Sequence, residues 1–163
     1  MFEYLPWIAG FLAILFAGIT AVSIKKKPIG TEQMKEISGF IHKGALTYLN
    51  KQYKYLTVFV IVVAAVLYLL INPSTATAFV IGAFFSALTG NIGMRVATSA
   101  NARTSNASKE SLNSGLRIAF SSGTVMGMIV VGLGLLGVSL MYMIFQDTSI
   151  LFGFGFGASS IAL

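Results

Sequence analysis

The side chains able to do acid–base or metal chemistry are few, and their positions limit what this chain does alone. The 163 residues include five acidic ones, Glu3, Glu32, Glu36, Glu110 and Asp147, and a single histidine, His42. A membrane proton or cation carrier needs ionisable groups buried between helices. None of the five carboxylates falls in the middle of an apolar stretch. The segment therefore offers no general base, no carboxylate pair for Mg2+ and no buried proton carrier. His42 stands among lysines and reads as a solvated or interfacial residue rather than a proton shuttle. Cysteine is absent, which removes disulfides, thiolate metal sites and a thiol nucleophile. No catalytic, cofactor-binding or metal-ligating residue is assigned within this stretch.

Two hydroxyls remain. Ser159 and Ser160 are polar residues inside an apolar segment. Such hydroxyls ordinarily bond back to a carbonyl one turn earlier; the functional reading is that one of them lines an ion path. Glycine motifs are more numerous but do not carry phosphate chemistry. Residues 132–137 match G-x-G-x-x-G, yet that fingerprint needs a strand before it and a helix after it, and here it lies inside a long apolar block. Gly153, Gly155 and Gly157 alternate with phenylalanines and read as a flexible or closely packed helix start. The clearer pattern is small residues at steps of four: Gly82, Ser86 and Gly90, then Gly115, Ala119, Gly123 and Gly127. In lipid, where the hydrophobic effect gives little drive for association, such ridges let helices approach closely. They read as packing positions, with a dimerisation face as the alternative.

The elements that must position these residues are membrane helices. The chain is 56% hydrophobic and 10% charged, against about 25% charged in a soluble domain. The apolar residues form long blocks, and the expected architecture is an all-α polytopic transmembrane bundle. Four complete helices and the start of a fifth are expected, over about 3–24, 32–71, 75–103, 110–144 and 150–163, in a single membrane segment. The second combines a basic amphipathic part, with Thr31 as its N-cap, and a crossing stopped at Asn72-Pro73. Tyr4, Trp7, Tyr68 and Tyr142 fall near the boundaries as interfacial anchors.

All 11 Lys and Arg residues lie around the first connection or flank the third-to-fourth one. The positive-inside bias then places both basic connections in the cytoplasm and the N-terminus outside. The same arrangement argues against a nucleic-acid partner, because these cations already serve topology. Arg95 and Arg117 lie about two turns inside the helix ends, close enough to snorkel. Glu3 before the first apolar run and Lys25–Lys27 after it reverse the charge order of a secretory signal. Residues 150–163 are too short to span, so the natural chain is expected to continue past Leu163.

Several strings carry a resemblance. Gly93-Met94, Ala97, Ala100-Asn101 and Arg103-Thr104 form G-M-x-x-A-x-x-A-N-x-R-T, and Ala119-Phe120, Gly123 and Val125-Met126-Gly127 form A-F-x-x-G-x-V-M-G. The apolar run 130–137 and G-F-G-F-G-A-S-S-I-A-L over 153–163 follow in order, and the 33–53 segment matches in kind. Together these resemble the membrane-integral, ion-translocating pyrophosphatases across nearly the whole chain. The departures are Asn106 and Ser108, where that family often has small apolar residues.

The resemblance implies a sixteen-helix homodimeric pump of the plasma membrane. It would hydrolyse cytoplasmic pyrophosphate with Mg2+, in some members with K+, and move H+ or Na+ outward. The first four helices would belong to an outer ring and the fifth to the inner set. The Mg2+-pyrophosphate motif would lie beyond Leu163, so this segment alone is expected to be inactive. Ser159 and, less directly, Ser160 match a pathway-lining part of the family. The competing readings are a secondary transporter fragment, which would need broken helices at mid-membrane, and a small non-catalytic membrane assembly subunit.

Overall fold

Four polar residues with extended backbone set the helix starts. Thr31, Asn72, Ser111 and Asp147 each turn a side-chain oxygen onto a backbone N–H of the first turn, that of Met34, Thr75, Ser114 and Ser149 respectively. Each cap satisfies a donor that no helical carbonyl reaches. In the computed structural model, which describes residues 4–160, the helices are α1 (Leu5–Lys25), α2 (Glu32–Leu70), α3 (Pro73–Ser108), α4 (Leu112–Phe145) and α5 (Thr148–Ser159). No strand occurs among the described residues. The expected contributions of Glu3 and of residues 161–163 lie outside them.

The boundaries depart from the sequence expectation for local reasons. Pro73 occupies the first turn of α3, where its missing N–H costs nothing, so Asn72 both ends α2 and caps α3. At its other end α3 runs through Thr104 to Ser108, a stretch read from sequence as a polar connection. Polar side chains do not break a helix that has left the hydrocarbon. Here Ser108 packs against Gly115, and Asn106 lies beside Gly30. Gly30 turns the α1–α2 connection at φ +102°, a conformation suited to glycine. Gln146 closes α4 in the left-handed region, its N–H donating to Tyr142 O at 2.8 Å.

Four of the helices are long and apolar enough to cross a membrane. The 39 residues of α2 reach about 58 Å at 1.5 Å per residue, well beyond a ~30 Å hydrocarbon core. The surplus lies at the cationic end. Arg103 of α3 donates to Lys27 O at 3.0 Å and to Lys25 O at 3.1 Å. The α1–α2 and α3–α4 connections therefore sit together. The α2–α3 and α4–α5 turns sit at the opposite end, where Thr75 O lies against Gly153.

The core lies where α1, α3 and α4 meet, with Ala17, Ile24, Val96, Ala100, Ile118, Val125 and Ile129 buried together. A second cluster, Ala78, Met141, Ile150 and Phe154, seats α5 on α3 and α4. Gly10 and Gly132 bring α1 and α4 into backbone contact, since a Cβ on either would meet the other's carbonyl oxygen at 2.9–3.0 Å. Gly132 thus serves packing, as its place inside α4 requires of the G-x-G-x-x-G string. The second helix is peripheral, burying only Leu49. Its apolar crossing lies open, as suits a surface solvated by lipid.

His42 gains a neighbour that its lysine-rich sequence surroundings did not show. It is half-buried against α3, with Nδ1 2.7 Å from the Oγ1 of buried Thr98. The Thr98 Oγ1 also lies 2.8 Å from Met94 O, one turn earlier on α3. The His42 ring and the Thr98 hydroxyl are thus hydrogen-bonded across the α2–α3 contact. With Tyr53, whose hydroxyl donates to Ala87 O at 2.8 Å, His42 fixes α2 on α3.

Candidate functional site

The two serines singled out from sequence are placed by the seam between α3 and α5. These helices run side by side in the same direction, and small residues from both bring their backbones together. The α-carbon of Gly157 faces the Phe79 carbonyl, and that of Gly82 faces the Phe154 carbonyl. Gly153 lies on Thr75, where an added Cβ would stand 2.7 Å from the carbonyl oxygen. Ser86 donates to Ala158 O at 2.6 Å. Phe79 and Phe156 pack with ring centroids 5.2 Å apart, and the ring of Phe154 covers Gly137 of α4. Close backbone approach replaces side-chain bulk as the source of contact, which is how small-residue ridges work in lipid.

At the end of this seam nearer the cationic connections, Ser159 and Ser160 both donate to Phe156 O, at 2.9 and 3.1 Å. Each oxygen keeps acceptor capacity. The two differ in surroundings. Ser160 is 2% exposed and lines a cavity of about 420 Å³ shared with Tyr48, Gln52, Tyr55 and Phe59 of α2. Ser159 is exposed.

The remaining small residues divide. Gly90 is half-buried on α3, and Gly115 is buried under Ser108. Gly123 and Gly127 are exposed, and a Cβ at either meets nothing. Spacing alone named a face of α4 but not the neighbour it meets. Close contacts at Gly10 and Gly137 were missed, because neither belongs to a four-residue ridge.

The described carboxylates of Glu32, Glu36, Glu110 and Asp147 are all exposed. Asp147 is the cap of α5, accepting from Ser149 Oγ at 2.6 Å and Ser149 N at 2.8 Å. Those two bonds, the hydroxyl's first, hold its carboxyl below the usual carboxylate range. Among the described residues no three His, Asp or Glu side chains come together as a metal site. Mg2+ demands a near-octahedral set of oxygens. The described residues do not supply such a set.

Comparison with known proteins decides the family. The family model of the inorganic H+ pyrophosphatase matches residues 11–163. The chain belongs to this family. A putative K(+)-stimulated pyrophosphate-energized sodium pump of Clostridium tetani is 48% identical over 157 residues, covering 96% of this chain and 23% of the relative. A K(+)-insensitive pyrophosphate-energized proton pump of Methanosarcina mazei is 38% identical over 158 residues, covering 96% and 24%. A K(+)-stimulated pyrophosphate-energized sodium pump of Thermotoga maritima is 40% identical over 148 residues, covering 89% and 20%. The chain thus spans about a quarter of the length of the curated relatives it matches. These relatives include both sodium and proton pumps.

Proposed function

We propose that this chain is the N-terminal helix bundle of a plasma-membrane pump that hydrolyses cytoplasmic pyrophosphate and drives H+ or Na+ outward. The observation that carries this reading is the family match across residues 11–163. The gathering of the cations at one end supports a cytoplasmic placement of that end and an outside N-terminus. In this reading the full protein is a homodimer, takes Mg2+ with pyrophosphate, and in K+-stimulated form also takes K+. The residues for that chemistry lie in other parts of the full-length protein. The first four helices give lateral support, and α5 presents Ser159, with Ser160 beside it, to the ion path.

Inside-out vesicles from cells making the full-length protein test this directly. Added pyrophosphate is expected to acidify the vesicles or load them with Na+, while the 163-residue segment alone releases no phosphate. Ser159→Ala is expected to lower the ions moved per pyrophosphate cleaved while leaving the folded yield unchanged. Hydrolysis without ion uptake in the parent would defeat the pump reading. An unchanged ratio in the variant would remove Ser159 from the path.

A further inference from the structure

Ser86 uses its hydroxyl differently from other hydroxyl residues inside these helices. Thr57 of α2, Thr77 and Thr89 of α3, and Ser121 and Thr124 of α4 each donate to the carbonyl one turn earlier on their own helix. That local acceptor is within reach of any helical serine or threonine. Ser86, half-buried on α3, instead donates across the seam to Ala158 O of α5 at 2.6 Å. Among the described residues this is the sole hydrogen bond between α5 and another helix. The other side-chain bonds of α5 stay within the helix or its Asp147 cap. The place of the acceptor matters as well. The Ala158 carbonyl belongs to the peptide group whose nitrogen is that of Ser159, and a peptide group is planar. Holding that oxygen therefore holds the backbone at its entry to Ser159.

We propose that Ser86 is a positioning residue, whose hydroxyl sets the axial register of α5 on α3 and so places the segment carrying Ser159 and Ser160. The part of that segment in ion movement rests on the pump function proposed above. Gly82, Gly153 and Gly157 hold the two backbones close, but a glycine has no side chain to interlock along the axis. A hydrogen bond weakens steeply with misalignment and so distinguishes one register from a slid one. A binding group has to stay within about 0.5 Å of its productive place, whereas a slip of one helical residue moves it by about 1.5 Å. The net contribution of one hydrogen bond corresponds to a bias of roughly two- to tenfold toward the aligned register.

The full-length pump tests this in two ways. Spin labels at two exposed positions, Phe84→Cys on α3 and Phe152→Cys on α5, read the register once any other cysteines are replaced by serine. The parent is expected to give one narrow distance, and Ser86→Ala a shifted or broadened one. In inside-out vesicles Ser86→Ala is expected to lower the ions moved per pyrophosphate cleaved by roughly twofold, as the two registers become comparably populated. Ser86→Thr keeps the donor and is expected to restore the ratio. Thr77→Ala loses a hydroxyl bonded within α3 and is expected to leave it unchanged. An unaltered distance in Ser86→Ala would overturn the register claim, and an unaltered ratio beside an altered distance would remove Ser86 from the coupling. Should Ser159→Ala leave the ratio unchanged, the pathway reading of that serine fails, while the label distance still decides the register.

Discussion

Gly157→Ala is expected to lower the stability of the bundle by about 2–3 kcal/mol, and Gly157→Leu to abolish folded protein. The cost of inserting a methyl into a close-packed interior is commonly about 1–3 kcal/mol. This position lies toward the upper end because of what the methyl meets. A Cβ on Gly157 would collide with the Phe79 carbonyl oxygen, with Phe79 C at 2.8 Å and Ala83 N at 2.9 Å. All three are backbone atoms and have no rotamer to move to. Relief requires α3 and α5 to separate along their length, which breaks the Ser86–Ala158 hydrogen bond and loosens the Phe79–Phe156 pair. Gly155 supplies the control. It lies on the same helix, two residues away, with nothing within 4 Å of an added Cβ. Replacing glycine by alanine there removes backbone freedom without a clash and is worth about 0.5–1 kcal/mol in favour of the helix. Thermal unfolding of the two alanine variants should therefore move in opposite directions. Equal midpoints would mean that the seam does not hold the helices at this distance.

Arg103→Met is expected to release the C-terminal turn of α1, at a cost of about 2 kcal/mol. The guanidinium donates to Ser99 O of its own helix and to Lys25 O and Lys27 O, so one side chain of α3 closes carbonyls at and just past the end of α1. Hydrogen bonds from a charged donor contribute roughly 1.5–3 kcal/mol, and a cation at a helix C-terminus about 0.3–1 kcal/mol more. Partial exposure brings the sum toward the lower figures. Arg103→Lys keeps the charge but not the planar fork, and is expected to recover under about half of the loss. Hydrogen exchange reads the effect locally: the amides of Lys26 and Lys27, which donate to Val22 O and Ile24 O, should exchange faster in the methionine variant. Unchanged exchange there would show that α1 ends firmly without α3.

These two positions show what the sequence discloses. Helix number, order and the one-sided cations were legible, because hydrocarbon excludes charge and unpaired backbone over a length that leaves few alternatives. Caps at Thr31 and the stop at Asn72 were legible for the same local reason. The close approaches were legible in kind only. A ridge spaced at four names a face, but whether Gly82 or Gly123 meets a backbone depends on which helix lies beside it, and that is a property of the assembled bundle. The partner of His42 was hidden for the same reason. Its chain neighbours are lysines, while its spatial neighbour Thr98 is 56 residues distant. Arg103 stood within the string that carried the family resemblance, yet nothing local showed that its partners were the carbonyls of α1. The chemistry of pyrophosphate was legible only through resemblance, since the described carboxylates cap, pair or face solvent.

The account stands on a bundle whose cationic end faces the cytoplasm, and site-directed labelling measures that most directly. These 163 residues contain no cysteine, so each single replacement is read against the parent protein as the background control. On intact cells, a membrane-impermeant maleimide is expected to label Thr148→Cys and to spare Lys26→Cys and Glu110→Cys until the membrane is opened. Labelling of Lys26→Cys and Glu110→Cys from opposite sides, or of both from outside, would contradict the account.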